Sequence, residues 1–368
     1  MVEPLIRKAE NISPISFSAA QQYCENKEKL IDEVNRVLTA NPDIHRLIGH
    51  NPLSLLYDNH NNHAAFMCNI FKLNDFTLMA RVVFWAYRTY KNHGFSYDYF
   101  PGAMQAWMEA VRNNLDPDKA QQIINAYQWI LDNHEEIIEA SKETSEPPRI
   151  TEDKWQQLCE PFLSSLLESN HKESLQLAND SIHSAADLAN FYLQVIQPAM
   201  YRIGKLWEDG EISVAQEHLA SAIVSRVMAS LYPRFIMLEQ NKGKAVVTAA
   251  PNEFHEIGPR MVADLLEING WDIDYLGANT PVHDLLDLLK DKHHFFLAIS
   301  VGMPFNIDRT SEIITAVKDT PSLKDTRIML GGHSIFMNPH LNEKIKADGT
   351  GASARDAVLL AEEWWGNA

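Results

Sequence analysis

The run Glu253-Phe254-His255-Glu256-Ile257-Gly258 is the first place in the chain where residue types and spacing suggest chemistry. It follows a strand-like apolar stretch, Ala245 to Ala250, and precedes a helix-like one, Arg260 to Ile268. An imidazole in such a loop can reach a ligand lying over the C-terminal edge of an open α/β sheet, where these sheets bind cofactors. A carboxylate two residues earlier can hold one ring nitrogen and leave the other to a metal. Gly258 lets the backbone approach something flat.

Positioning such a loop takes alternating strands and helices, and from Lys242 onward the sequence supplies them. Strands are expected at Ala245–Ala250, Asp272–Leu276, Phe295–Val301 and Arg327–Leu330. Helices are expected near 259–269, 281–290, 308–319, 338–347 and 353–365. This alternation with short loops implies a Rossmann-like, doubly wound parallel sheet over 242–368. Three further loops reach the same edge: Gly277 to Pro281 with Asn279 and Thr280, then Ser300, Val301 and Gly302, then Gly331-Gly332-His333. Their glycines admit a ligand tail between strands. The GxGxxG dinucleotide fingerprint is absent after the first strand. His333 and the pair His293-His294 have no evident partners and read as surface or turn residues.

Upstream, residues 153–240 read as a four-helix bundle, with long segments Phe191–Glu208 and Ser213–Leu238 broken at Asp209-Gly210. Residues 1–142 read as a separate all-helical domain, in which Asp116 caps a helix that begins at Pro117. The polar stretch Ser141 to Glu152, with Pro147-Pro148, reads as a linker. A net charge of −17, from 32 basic and 49 acidic residues, repels phosphate backbones and argues against direct nucleic-acid binding. Cys24, Cys68 and Cys159 lie far apart and suggest no disulfide framework, which suits a reducing cytoplasm. The N-terminus has no signal-peptide pattern, and no apolar run is long enough to span a membrane.

Glu253-x-His255-x-x-Gly258, followed by Ser300 and Gly331-Gly332, resembles the cobalamin-binding motif of methionine synthase and its relatives. The resemblance implies that His255 is the lower axial cobalt ligand, in place of the corrinoid's own base. It also implies that the nucleotide tail enters the sheet beside the serine and the paired glycines. Glu253 stands where the family usually has aspartate. That glutamate and the string Tyr275 to Pro281 look most like the light-sensing, CarH-type branch. Trp207, nine residues, then Glu217-His218 resembles that branch's signature. It implies a tryptophan cap over adenosylcobalamin, with Val214, Glu217 and His218 in the same wall. In that branch a histidine follows the tryptophan, whereas here the residue is Glu208, so the light-state ligand would be His218 or water.

The branch begins with a small basic DNA-binding domain, and this chain does not. Its first region is acidic and dense in aromatics between Phe84 and His134. It resembles the photocobilins, which implies a non-covalently bound biliverdin near Tyr87, Arg88, His93 and Tyr97, with Arg88, Arg81 and His93 facing propionates. The alternatives are a dimerisation core or a heme site using His63, His93 and His134. His60 and His63 share i, i+3 spacing but lack a third ligand. The resemblance as a whole implies a cytoplasmic light sensor rather than an enzyme: a homo-oligomer, dimeric or larger, that signals to an unidentified partner without binding membranes. The rival expectation is a corrinoid methyl-carrier of a methyltransferase system, which needs an open upper face.

Overall fold

The computed structural model describes residues 2–143, 153–235, 240–337 and 341–367. The chain divides into two compact units. One is Met1–Glu146 together with Glu208–Glu211. The other is Pro147–Trp207 together with Ile212–Ala368.

The first unit is helical: α1 Val2–Ala9, α2 Phe17–Glu25, α3 Lys27–Thr39, α4 Ile44–Leu47, α5 Leu53–Leu73, α6 Phe76–Asn92, α7 Tyr99–Asn114, α8 Pro117–Asp132 and α9 His134–Ser141. Local signals set several starts. Ser16 accepts from the Ala19 amide, and Asp75 accepts from that of Leu78. Pro117 opens α8 as expected, but the Asp116 carboxylate pairs with Lys119 at 2.8 Å instead of capping the helix. Aromatic side chains fill the core. Trp107 and Tyr127 lie parallel, and the Tyr127 hydroxyl meets that of Tyr23 at 2.7 Å. The cysteines overturn the sequence expectation. Cys24 of α2 and Cys68 of α5 form a disulfide, because packing brings two helices with a sequence separation of 44 together. Cys159 remains a free, buried thiol.

The second unit begins with α10 Asp153–Leu167, α11 His171–Ser181, α12 Ala185–Phe191, a π-helical turn Tyr192–Ile196, α13 Gln197–Glu208, whose last residue belongs to the first unit, and α14 Val214–Leu231. Ser213 and Gln216 form a reciprocal capping box at the start of α14. The long segment expected over Phe191–Glu208 is therefore interrupted by a π turn. The segment expected to run to Leu238 leaves the α-helix at Leu231, and 236–239 lie outside the described residues, as do 144–152 of the expected linker.

The sheet follows: β1 Lys244–Ala249, α15 Ile257–Ile268, β2 Asp272–Gly277, α16 Val282–Asp291, β3 Phe296–Ser300, α17 Ile307–Asp319, β4 Arg327–Gly331, α18 His333–Met337, α19 Leu341–Ile345, β5 Gly349–Thr350 and α20 Ala354–Gly366. All pairings are parallel, in the order β2-β1-β3-β4-β5. Strands buried on both faces read as continuous apolar runs, which is why Ala245 to Ala249 was legible. The two-residue β5 and the five-residue α18 were not anticipated. The expected helix 338–347 is described from Leu341, its first three residues lying outside the described ones.

The helical layer and the sheet share one core. Phe162, Phe191, Val195 and Ile203 pack in the same cluster as Met261 and Leu265 of α15. A buried hydrogen bond crosses it, the Tyr192 hydroxyl donating to Asp264 Oδ2 at 2.7 Å. Burial pushes the Asp264 carboxyl up to about 6. His294, expected to be partnerless, is buried, with Nε2 3.0 Å from Asp274 Oδ2.

Candidate cofactor site

In the observed strand order the chain runs outward from β1 in both directions, so loops leaving β1 and β3 diverge and open a crevice at their C-terminal ends. Ligands settle there in doubly wound folds. The loop after β1 carries Glu253 and His255, and the loop after β3 carries Gly302 to Asn306. Cα register brings Ala249 beside Ser300, and Ser300 beside Gly331. Glu253, His255, Ser300, Gly302, Gly331 and Gly332 therefore share one edge, as the sequence suggested.

Glu253 is buried in this crevice. One carboxylate oxygen, Oε2, accepts from the Gly302 amide at 2.8 Å, the Met303 amide at 2.7 Å and Asn306 Nδ2 at 3.1 Å. The other, Oε1, is bonded to His255 Nδ1. Burial works against the ionised form of Glu253, but His255 and these donors hold its pKa below the usual glutamate value. A Cβ at Gly302 would come within 3.1–3.2 Å of the carboxylate, which explains the glycine there.

His255 itself stands in the open, its side chain 68% exposed. The bond to Glu253 raises its pKa above 6.5 against desolvation, and the charges of Glu253 and Glu217 add to the rise. With Nδ1 committed to a buried carboxylate, the neutral ring presents Nε2 as a lone-pair donor, the arrangement of a supported metal ligand. Glu217 lies on α14, so that helix borders the same site. There Val214 is 51% exposed, Leu219 is exposed, and His218 is 74% exposed with Nδ1 2.5 Å from Glu217 Oε2. Trp207 is half-buried at the end of α13.

The surroundings suit a large flat group. Phe254 and Phe336 expose their rings at the sheet edge, and a Cβ at Gly258 would meet nothing within 4 Å. Gly332 is required: its φ is +98°, and a Cβ would lie 2.5 Å from the Val301 carbonyl oxygen. His333 also has neighbours the sequence did not show. Its ring stacks near Phe336, and desolvation and the adjacent His255 lower its pKa. Other expected contacts are spent on the protein. Asn279 Oδ1 accepts from the Asn252 amide at 2.8 Å, the Thr280 hydroxyl is 3.3 Å from that of Thr248, and Val301 is fully buried.

Two family patterns, each described as "B12 binding domain", match residues 158–232 and 243–359. The second half of the chain is a corrinoid-binding unit. Monomethylamine corrinoid protein 2 of Methanosarcina acetivorans is 23% identical over 214 residues, covering 56% of this chain and 96% of that protein. Dimethylamine corrinoid protein 1 of Methanosarcina mazei is 21% identical over 210 residues, covering 54% and 95%. The solved monomethylamine corrinoid protein of Methanosarcina barkeri shares the fold, with a TM-score of 0.51 and 22% identity over 56% of this chain and 98% of its own.

These relatives overturn the light-sensor expectation drawn from Trp207, Glu217 and His218. They are methylamine corrinoid proteins, and they support the rival reading. The Trp207–Glu217–His218 spacing spans two helices, and in this chain it leaves His218 largely exposed.

The aromatic positions of the first unit are also largely committed. Tyr87 is buried, stacked on Phe100 at 3.6 Å and bonded to His134 Nδ1 at 3.0 Å. The Arg88 guanidinium pairs with Glu208, which belongs to the same compact unit, and donates to the Glu143 carbonyl at 2.8 Å. Tyr97 stacks 6.3 Å from Tyr87, with Lys91 over its ring. His93 caps the end of α6. His60 bonds Asn35 Oδ1 and the Tyr99 hydroxyl, while burial brings the pKa of His63, which lies beside the Trp107 and Tyr127 rings, down to about 3. No cluster of three or more potential metal ligands occurs among the described residues. None of their helices is long and apolar enough to cross a membrane.

Proposed function

We propose that this chain is a corrinoid methyl-carrier, holding its cofactor through His255 and presenting it to methyltransferase partners. One observation carries the reading: His255 is oriented by a buried carboxylate while its ring is 68% exposed. A corrinoid held there by His255 would supply methyl-transfer chemistry. The protein's own task is then to hold the lower nitrogen, seat the tail between β3 and β4, and keep the upper face reachable. Exposure of Val214, Leu219 and His218 on α14 supports that last requirement. The monomethylamine and dimethylamine corrinoid proteins to which this chain is similar support methyl rather than adenosyl as the upper ligand. On this reading the chain performs no catalysis alone. Ser300 and Gly331 line the tail channel, and Trp207, Val214 and Glu217 border the upper face. The aromatic cluster around Tyr87, Tyr97 and Phe100 is the packing core of the first unit rather than a bilin seat.

The test is methyl transfer at the upper face. Full-length protein is loaded with cobalamin, reduced, and offered methyl iodide, and the return of the methyl-form absorbance is followed. A carrier should react within about tenfold of free cofactor, a penalty of roughly 1.4 kcal/mol. A bound cofactor that is sealed from the methyl donor would sink the proposal.

A further inference from the structure

Asn306 stands at the N-cap of α17, where an asparagine ordinarily accepts a hydrogen bond from the first turn. Here it makes no such bond. Its side chain is fully buried and turned the other way, Nδ2 donating to Glu253 Oε2 at 3.1 Å and to the Asn252 carbonyl at 3.2 Å. Its Oδ1 is 3.4 Å from Asn252 Nδ2. Asn252 is in the left-handed region at φ +64°, and its amide donates to Asn279 Oδ1 at 2.8 Å, with Asn279 itself at φ +58°. One asparagine therefore comes from each of the loops after β1, β2 and β3, and those from the second and third, Asn279 and Asn306, hold Asn252, the residue preceding Glu253. A helix has given up its side-chain cap, and two non-glycine residues hold an uncommon backbone conformation, to fix one loop.

We propose that Asn252, Asn279 and Asn306 form a clamp that sets the position of the Glu253–His255 pair, and that they act as positioning residues for lower-face ligation of the corrinoid. The inference rests on His255 being the lower ligand. It explains why Asn279, at a loop that looked ligand-facing, spends its side chain on the protein. The clamp's side-chain bonds are made to the protein, so its effect passes through the orientation of the imidazole. Loosening it should leave the unit folded while the His255 ring samples geometries that miss the metal.

The experiment uses full-length protein loaded with cob(II)alamin at fixed pH. The protein carries ¹⁵N-histidine, so electron paramagnetic resonance reads the doublet splitting of an axial histidine nitrogen apart from the triplet of the corrinoid's own base, and a chase with free cobalamin reads the off-rate. Asn306→Ala and Asn279→Gly are compared with wild type and His255→Ala. Glycine at 279 keeps the backbone conformation and removes only the amide, so that variant remains informative if Asn306→Ala fails to fold. The clamp predicts that both asparagine variants lose most of the axial-nitrogen splitting and release cobalamin on the order of 10–100-fold faster, with apo-protein melting close to wild type. Wild-type splitting and off-rate in folded asparagine variants, alongside loss of splitting in His255→Ala, overturns the clamp alone. Wild-type splitting in His255→Ala overturns the ligand assignment and the clamp with it.

Discussion

Replacing Glu253 by Gln changes almost no volume but reverses one hydrogen-bonding role, and the structure says where the conflict falls. Oε2 of Glu253 faces three donors, the amides of Gly302 and Met303 and Asn306 Nδ2. Oε1 faces His255 Nδ1. A glutamine must put its NH₂ on one side. Toward the three fixed donors it would leave several buried groups unsatisfied, each costing about 1–3 kcal/mol. Toward His255 it meets a ring that can adapt by moving its proton, so this orientation wins. The amide then donates to Nδ1, and the imidazole proton shifts to Nε2. That tautomer has no lone pair to offer a metal at Nε2. Glu253→Gln should therefore fold normally, bind cobalamin on the order of 10–100-fold more weakly, and show a spectrum without lower-face histidine. The assay is an absorbance titration of apo-protein with hydroxocobalamin, with thermal melting as the control. A variant with wild-type affinity and an unchanged histidine-ligated spectrum would refute the reasoning.

Histidine ligation should also fail as pH falls. The pKa of His255 is raised above 6.5, so protonation competes with the metal from above the ordinary histidine range downward, and Glu253→Ala should move the midpoint lower. Asp264, pushed up from 3.8 to about 6, contributes stability that is full below pH 3.8 and lost as pH rises through 6. Asp264→Asn, which keeps an acceptor for Tyr192, should raise stability at pH 8 relative to pH 3.5 by up to about 3 kcal/mol in urea unfolding, and parallel pH profiles would refute this. Reducing the Cys24–Cys68 disulfide, with its separation of 44 residues, should cost up to about 4 kcal/mol of first-unit stability by chain entropy. Cys68→Ser should then be insensitive to reductant, and equal melting of wild type with and without dithiothreitol would contradict the estimate. Gly332→Ala forces a Cβ against the Val301 carbonyl at positive φ and should cost about 2 kcal/mol or more, and it should weaken cobalamin binding measured in the same titration.

The sheet was legible because its central strands β1 and β3 are near-continuous buried apolar runs, and the Glu253–His255 pair was legible because local spacing fixes it. What the sequence hid depends on tertiary contact. Cys24 and Cys68 meet only because α2 packs on α5. Asn306 lies in Pro304-Phe305-Asn306-Ile307, where nothing local marks an asparagine turned away from its own helix. His294 gains Asp274 only across strands. The π turn at Tyr192 is anchored by Asp264, 72 residues away. The light-sensor expectation failed differently. Trp207 and Glu217-His218 keep a motif's spacing, but spacing across two helices does not say which chemistry the helices serve, and the relatives of this half of the chain are methylamine corrinoid proteins.

The central claim is a methyl-bearing corrinoid on His255 with an open upper face. Competition between methylcobalamin and adenosylcobalamin for the full-length apo-protein tests it most directly, with molecular mass followed in the dark and after green light. The account predicts that the methyl form binds at least as tightly and that illumination leaves the mass unchanged. A preference for adenosylcobalamin of tenfold or more, with a light-driven change of mass, would contradict it.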